Sequence, residues 1–211
     1  MDIEPVASAG LITRQVRTSE RNGNATRVIV ASRTYDIDQA DLWDALTNPD
    51  RLPRWFAPVT GTLEAGGQYQ VEGNASGVIE SCDEPNSFAL TWVYGGSTSW
   101  VRLTLRPADE ATELELAHEA PAFPPFWKEF GPGATGLGWE LSLLFLMDYV
   151  ATGAEAEPDA ENEFCASETG QAFLGAAAAA WAEAAIVDGD YADEARQAAD
   201  RSAAFYTPAA E

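Results

Sequence analysis

Histidine occurs once in this chain, lysine once, and cysteine and methionine twice each. A lone His118, with Cys82 and Cys165 far apart in sequence, supplies neither a disulfide framework nor an ordinary zinc set, so no cofactor or metal is expected. Lys128 and eleven arginines face 34 acidic residues, leaving a formal charge of −22. Nucleic acid and anionic membrane are poor partners for such a chain, because both are bound by neutralising phosphates with Lys and Arg. Solubility is the plain reading of the acidity. Long apolar runs are missing too. "LSLLFLM" is much too short to cross a bilayer, and "MDIEPVASAG" lacks the basic and apolar regions of a signal peptide. A reducing cytoplasm is the expected compartment. No G-x-S-x-G is present to seat a nucleophilic serine.

What remains is enough for a folded domain. The 211 residues are 46% hydrophobic and include seven tryptophans, which argues against disorder and allows a core without disulfides. "LITRQVRTSERNGNATRVIVASRTY" reads as two β segments around Asn22-Gly23, a pair suited to a tight hairpin. In "DIDQADLWDALTNPDRLPRWF" the period changes. Asp38 is placed to cap a helix with an apolar stripe at Leu42, Trp43, Ala45 and Leu46, and Asn48-Pro49 ends it and starts a second, short one.

From Thr60 to Glu119 six β segments follow, "TGTLEA", "GQYQVEG", "GVIESC", "SFALTWVY", "SWVRLTLRP" and "TELELAHE", joined by turns short enough for an antiparallel meander. Alternation sets Tyr69 and Val71 on one face. Phe88, Leu90, Trp92 and Tyr94 share a face, as do Val101, Leu103 and Leu105, and Leu114 and Leu116 with His118. Arg102 and Arg106 fall on the opposite parity with Trp100. One apolar face implies a sheet covered on one side.

"GLGWELSLLFLMDYVATG" predicts a helix from about Thr135 to Thr152, apolar over so much of its circumference that more than one side is buried. Beyond it the chain turns acidic, with 13 acids against two arginines from Ala151 onward. Phe173, Ala177, Trp181 and Ala185 recur at helical spacing, and Gly189 is placed to end that helix. A second helix is expected after Asp190, read as its cap, with Ala195, Ala199 and Ser202 along a narrow face.

This order of elements is that of the helix-grip fold, and the residues carry a resemblance. "SRTYDIDQADLWDALTNPDRLPRWFAP" resembles the opening of the START-like (SRPBCC) superfamily, in the branch named after activators of the heat-shock-protein-ninety ATPase. "ESCDEPNSFALTW", "TELELAHEAP" and "FGPGATGLGWELSLLFL" are similar to that branch's strand–turn–strand, its last strand and the opening of its long helix. The resemblance spans roughly Gly10 to Gly153. It implies an α+β fold with a curved antiparallel sheet around a long C-terminal helix, to which the tail, outside the shared fold, adds the helical hairpin read from its own spacing. The expected organisation is a flexible 1–9, a helix-grip domain over 10–154 and an acidic Ala-rich helical extension over 155–211.

The resemblance leaves function open, because the branch includes small-molecule binders, proteins described as cyclases, and co-chaperones. "GPGATG" matches G-x-G-x-x-G, but it follows an antiparallel meander rather than a strand of a βαβ unit, so a glycine-lined turn into the long helix is the better account than a dinucleotide site. The exposed amides at that helix start are a second, anion-attracting possibility. Pro124-Pro125 reads as a rigid loop, a candidate lid. Cys82 reads as a structural thiol.

Helix-grip topology gathers aromatic residues around one interior, an ordinary core for each residue taken singly and a ligand cavity for the set. The residues nominated for ligand binding are Trp55, Tyr69, Trp92, Tyr94, His118, Phe126, Trp139 and Leu143. Tyr69, Tyr94 and His118 supply the polar groups. The leading expectation is non-catalytic binding of an apolar or aromatic small molecule between sheet and long helix. An alternative is a cyclase- or hydrolase-like enzyme with His118 as acid/base and Glu140 or Asp148 as its partner. Another is a co-chaperone-like interaction module using the acidic tail, with chaperone contact or a homodimer through the tail or a sheet edge.

Overall fold

The computed structural model describes residues 4–208. Strands β1 (Thr13–Arg21) and β2 (Asn24–Tyr35) form the first hairpin. Asn22 and Gly23 both take positive φ, 53° and 79°, the combination a tight turn between right-twisted strands needs. The segment before it, expected to be loose, carries a one-turn helix, α1 (Pro5–Ala9), with Pro5, Ser8 and Ala9 buried.

Helix α2 (Gln39–Thr47) follows, capped by Asp38, whose carboxylate accepts from Asp41 N at 3.0 Å. Its apolar stripe is buried as the period requires. A 3-10 turn at Leu52–Arg54 stands where a second short helix was expected. Strands β3 (Val59–Gly61), β4 (Gln68–Val71), β5 (Ser76–Asp83), β6 (Ser87–Tyr94), β7 (Ser97–Ala108) and β8 (Ala111–Pro121) form an antiparallel meander. With the first hairpin they build one eight-stranded sheet in the order β1-β2-β8-β7-β6-β5-β4-β3. Then come α3 (Pro124–Phe130), α4 (Gly133–Thr152), α5 (Ala160–Ala166), α6 (Glu168–Asp188) and α7 (Ala192–Tyr206). The stretch around Pro124-Pro125 is thus a short helix, not a loop, because proline suits the first turn. Strands, sheet and long C-terminal helix together are those of the α+β helix-grip fold.

The chain divides into two compact units, and β2 and α4 each run from one into the other. The first holds residues 4–31, 122–144 and 157–208, so the tail folds with the first hairpin and the first half of α4. Helix α6 packs on β1 and on α7, with Phe173, Ala177, Trp181 and Ala185 all buried. It is also, among the described residues, the helix long and apolar enough to cross a membrane.

The glycines of "GPGATGLG" find their reason in this unit. A Cβ on Gly133 would stand 2.8 Å from Ser202, one on Gly136 2.4 Å from the Trp181 ring, and one on Gly138 2.7 Å from the Tyr206 hydroxyl. Gly131 takes φ +57° to end α3. The first turn of α4 is a seat for tail side chains, and Gly131, Pro132 and Gly133 are buried rather than open to an anion.

Two polar clusters tie the unit together. Arg14 of β1 grips both carboxylate oxygens of Glu140 at 2.6 Å, and its side chain and that of Glu140 are 7% and 0% exposed. Arg27 meets Asp188 at 2.6 Å and Asp190 at 2.7 Å while lying over the Trp127 ring, whose Nε1 donates to Asp190 at 2.6 Å. Asp190 therefore does not cap α7 as expected. That helix has Tyr191 at its cap position with no side-chain bond, because the Asp190 carboxylate is spent on Arg27 and Trp127.

The second unit, residues 32–121 and 145–156, holds the sheet from β3 to β8, α2 and the end of α4. Arg51 ties its corner together, bonded to Asp41 and Asp44 and donating to the Tyr149 hydroxyl at 2.9 Å.

Candidate ligand-binding face

Strand register fixes which side chains share a face with His118. Val101 pairs with His118, Leu90 with Val101, and Ile79 with Leu90, so these four form one row across β8, β7, β6 and β5. On either side lie the pairs Leu103–Leu116 with Phe88, and Ser99 with Trp92. The alternation read from sequence is the alternation observed, and His118 does point the way the leucines point.

Burial along this face is uneven. Val101, Leu103, Leu105, Leu114 and Leu116 are buried, whereas Phe88, Leu90 and Trp92 on β6 are only half-buried. Phe88 and Trp43 of α2 meet in a T-shaped arrangement at 5.7 Å. Leu90 and Trp92 join Phe56, Ala57, Val59 and Leu63 around the buried Tyr69, Val71 and Ile79.

The polar groups on this face are few. His118 Nε2 lies 2.8 Å from Ser99 Oγ, and Ser99 Oγ donates to the Trp92 carbonyl at 3.1 Å. The Trp92 and His118 rings meet edge-on at 6.4 Å. Burial in these apolar surroundings pushes the His118 pKa down to about 4, so the imidazole is uncharged at neutral pH. The Tyr69 hydroxyl donates to Thr91 O at 2.7 Å, crossing above Gly77, and burial raises its pKa.

The nominated residues separate. Tyr69, Trp92 and His118 come together on the inner face of the second unit. Trp55, in the same unit, is a buried corner residue whose Nε1 donates to Ala45 O at 3.0 Å and whose ring leans on Phe56. Tyr94 ends its strand 61% exposed. Phe126, Trp139 and Leu143 belong to the first unit. There Phe126 is an exposed neighbour of Phe130, Trp139 is half-buried and Leu143 is buried. Ser99 and Leu90 were missed as candidates. Ser99 shares the parity of Val101, and that was the available signal for it.

The carboxylates considered for His118 have other surroundings. Both oxygens of Glu140 accept from Arg14, and Asp148 Oδ1 is buried without a hydrogen bond. Cys82 is exposed, and partial desolvation together with Glu84 and Asp83 raises its pKa. Among the described residues no group of three or more His, Cys, Asp or Glu is placed to hold a metal ion.

Residues 36–151, more than half the chain, match the family described as activator of Hsp90 ATPase homolog 1-like protein. The chain belongs to this family. CalU16 from Micromonospora echinospora is 32% identical in its crystal structure, over 67% of this chain and 87% of that one, with a TM-score of 0.59. Its solution structure aligns over 84% of this chain and 97% of that one, at 29% identity and a TM-score of 0.70. An HSP90 activator from Plasmodium falciparum shares the fold at 19% identity, over 60% of this chain and 96% of that one, with a TM-score of 0.50. No curated protein matches. The domain is of the START-like, ligand-binding kind.

Proposed function

We propose that the protein binds an apolar or aromatic small molecule against the inner face of β4–β8 and releases it unchanged. The observation that carries this reading is the half-burial of Leu90 and Trp92. They sit in the same cross-strand rows as buried Val101 and Ser99, yet remain partly open. Apolar surface left half-covered beside a few polar groups is what a small-molecule site offers, and covering it is favourable at about 25 cal/mol per Å².

His118 orients the ligand in this reading. Two observations weigh against the acid/base alternative: its Nε2 partner is a hydroxyl rather than a carboxylate, and an imidazole with a pKa near 4 is a weak base. Both cysteines are free thiols, which suits the cytoplasm as the compartment.

Titration with fatty acids, sterols and polycyclic aromatics, followed by tryptophan fluorescence, tests the proposal. Saturable quenching by one class is expected, weakened at least tenfold in Trp92→Ala when its circular dichroism matches the parent. A flat response to every class would remove the binding function.

A further inference from the structure

We propose that Ser99 holds His118 as the uncharged Nε2–H tautomer, and that this face therefore selects uncharged ligands over their carboxylate counterparts. The second half rests on the binding function proposed above.

The tautomer follows from counting protons. A serine hydroxyl carries one proton, and a carbonyl oxygen can only accept. With Ser99 Oγ 3.1 Å from the Trp92 carbonyl oxygen, that proton is directed to Trp92. The same Oγ is 2.8 Å from His118 Nε2 and has only lone pairs left to offer it. Nε2 must then be the donor. A neutral imidazole has a single N–H, so Nδ1 carries none. Ser99 thus acts as a positioning residue, and the Trp92 backbone sets the direction of the relay.

Charge selection follows from the apolar row in which the ring sits. Val101, Leu90 and Ile79 continue its row, Leu116 and Ala120 flank it on β8, and none of them titrates. Burial in this apolar row opposes an imidazolium. A ligand carboxylate placed against this ring would meet a neutral group in apolar surroundings and lose its hydration. A buried guanidinium of the same unit, that of Arg33, is turned to Met147 Sδ and lies 5.6 Å from the Tyr35 ring. The chain's charge of −22 opposes an anion at long range as well.

The single histidine makes the tautomer directly readable by nitrogen-15 NMR of the full chain, without assignment ambiguity. The expected spectrum at pH 7 shows a protonated Nε2 and an unprotonated Nδ1. Ser99→Ala should convert this to a tautomer mixture, and Ser99→Thr, which keeps the hydroxyl, should restore it. A wild-type Nδ1–H form or imidazolium, or an unchanged lock in Ser99→Ala, would overturn the assignment.

Selectivity is read with 9-anthracenemethanol and 9-anthracenecarboxylate, which share a ring system and differ in charge. The alcohol should bind at least tenfold tighter. The preference should survive about 0.5 M salt, which screens the long-range charge and not the local one. Equal or tighter binding of the carboxylate would overturn the selectivity and point to Arg33 as its anchor. If neither compound nor any class in the wider panel binds, the binding function falls, while the spectrum still decides the tautomer.

Discussion

Gly136 lies so close to the indole of Trp181 that a methyl group in place of its hydrogen would stand 2.4 Å from Cε2 and 2.5 Å from Nε1. Trp181 is fully buried, 45 positions further along the chain, on a helix that family resemblance alone treats as an extension. The glycine-rich opening of α4 is shaped for a side chain, not for a phosphate.

Gly136→Ala should therefore destabilise the protein. In an exposed helix the same change would gain about 1 kcal/mol from propensity, so a loss isolates the packing term. Overpacking of this kind costs about 1–3 kcal/mol. Urea unfolding checks the sign. Combining the change with Trp181→Phe should recover part of the loss, because the smaller ring vacates the contact, and additive losses would deny the coupling.

Arg14 and Glu140 form a buried ion pair, and such pairs cost most when only one partner is removed. Glu140→Gln and Arg14→Met are each expected to cost about 3–5 kcal/mol. The double variant should cost much less than their sum. Equilibrium denaturation of the three variants measures the coupling, and a strictly additive double variant would show that the two groups act separately.

His118 makes stability depend on pH in a defined window. Its ordinary pKa near 6.5 belongs to the unfolded chain, and burial lowers it to about 4 in the folded one. Between these values the unfolded chain binds more protons. Stability from the neutral imidazole is fully present above about 6.5 and is lost as the pH falls toward 4, with a ceiling of about 3 kcal/mol. Urea midpoints at pH 7 and 4.5 should separate more in the parent than in His118→Gln. Parallel shifts in the two proteins would contradict the burial.

Asp190 holds α3 to the tail through Arg27 and Trp127, in a cluster about four-fifths buried. Asp190→Asn removes the charge from two charge-assisted bonds and should cost about 1–2 kcal/mol. Amide exchange in α3 should accelerate several-fold, while exchange in β7 stays unchanged. Uniform acceleration across the chain would instead indicate global destabilisation.

The local grammar of this fold is legible in the sequence. Asn22-Gly23 turns the first hairpin because both residues tolerate positive φ, Asp38 caps α2 because its side chain reaches the amide three residues on, and Gly189 ends α6 in the left-handed region. Period-2 alternation by itself sets His118 on one face with Leu114 and Leu116. All of these depend on residues within a few positions of one another, whose geometry backbone sterics largely prescribe.

Other features depended on distant partners. Asp190 looks like a cap and serves Arg27 and Trp127, 163 and 63 positions away in sequence. Phe126 and Tyr94 look like pocket residues and are exposed, since hydrophobicity records a tendency to be buried but not the neighbour that does the burying.

Ser99 shows the same division within one site. Its parity on β7 put it on the inner face, and composition placed a single histidine in the chain. Only the β6–β7–β8 register brought its hydroxyl between an imidazole 19 residues ahead and a carbonyl seven residues behind. The sequence by itself determined the elements and their faces, because those follow from local sterics and period. Tertiary structure decided which polar groups meet, because a hydrogen bond needs its partner within about 3 Å, and only the completed sheet sets that distance.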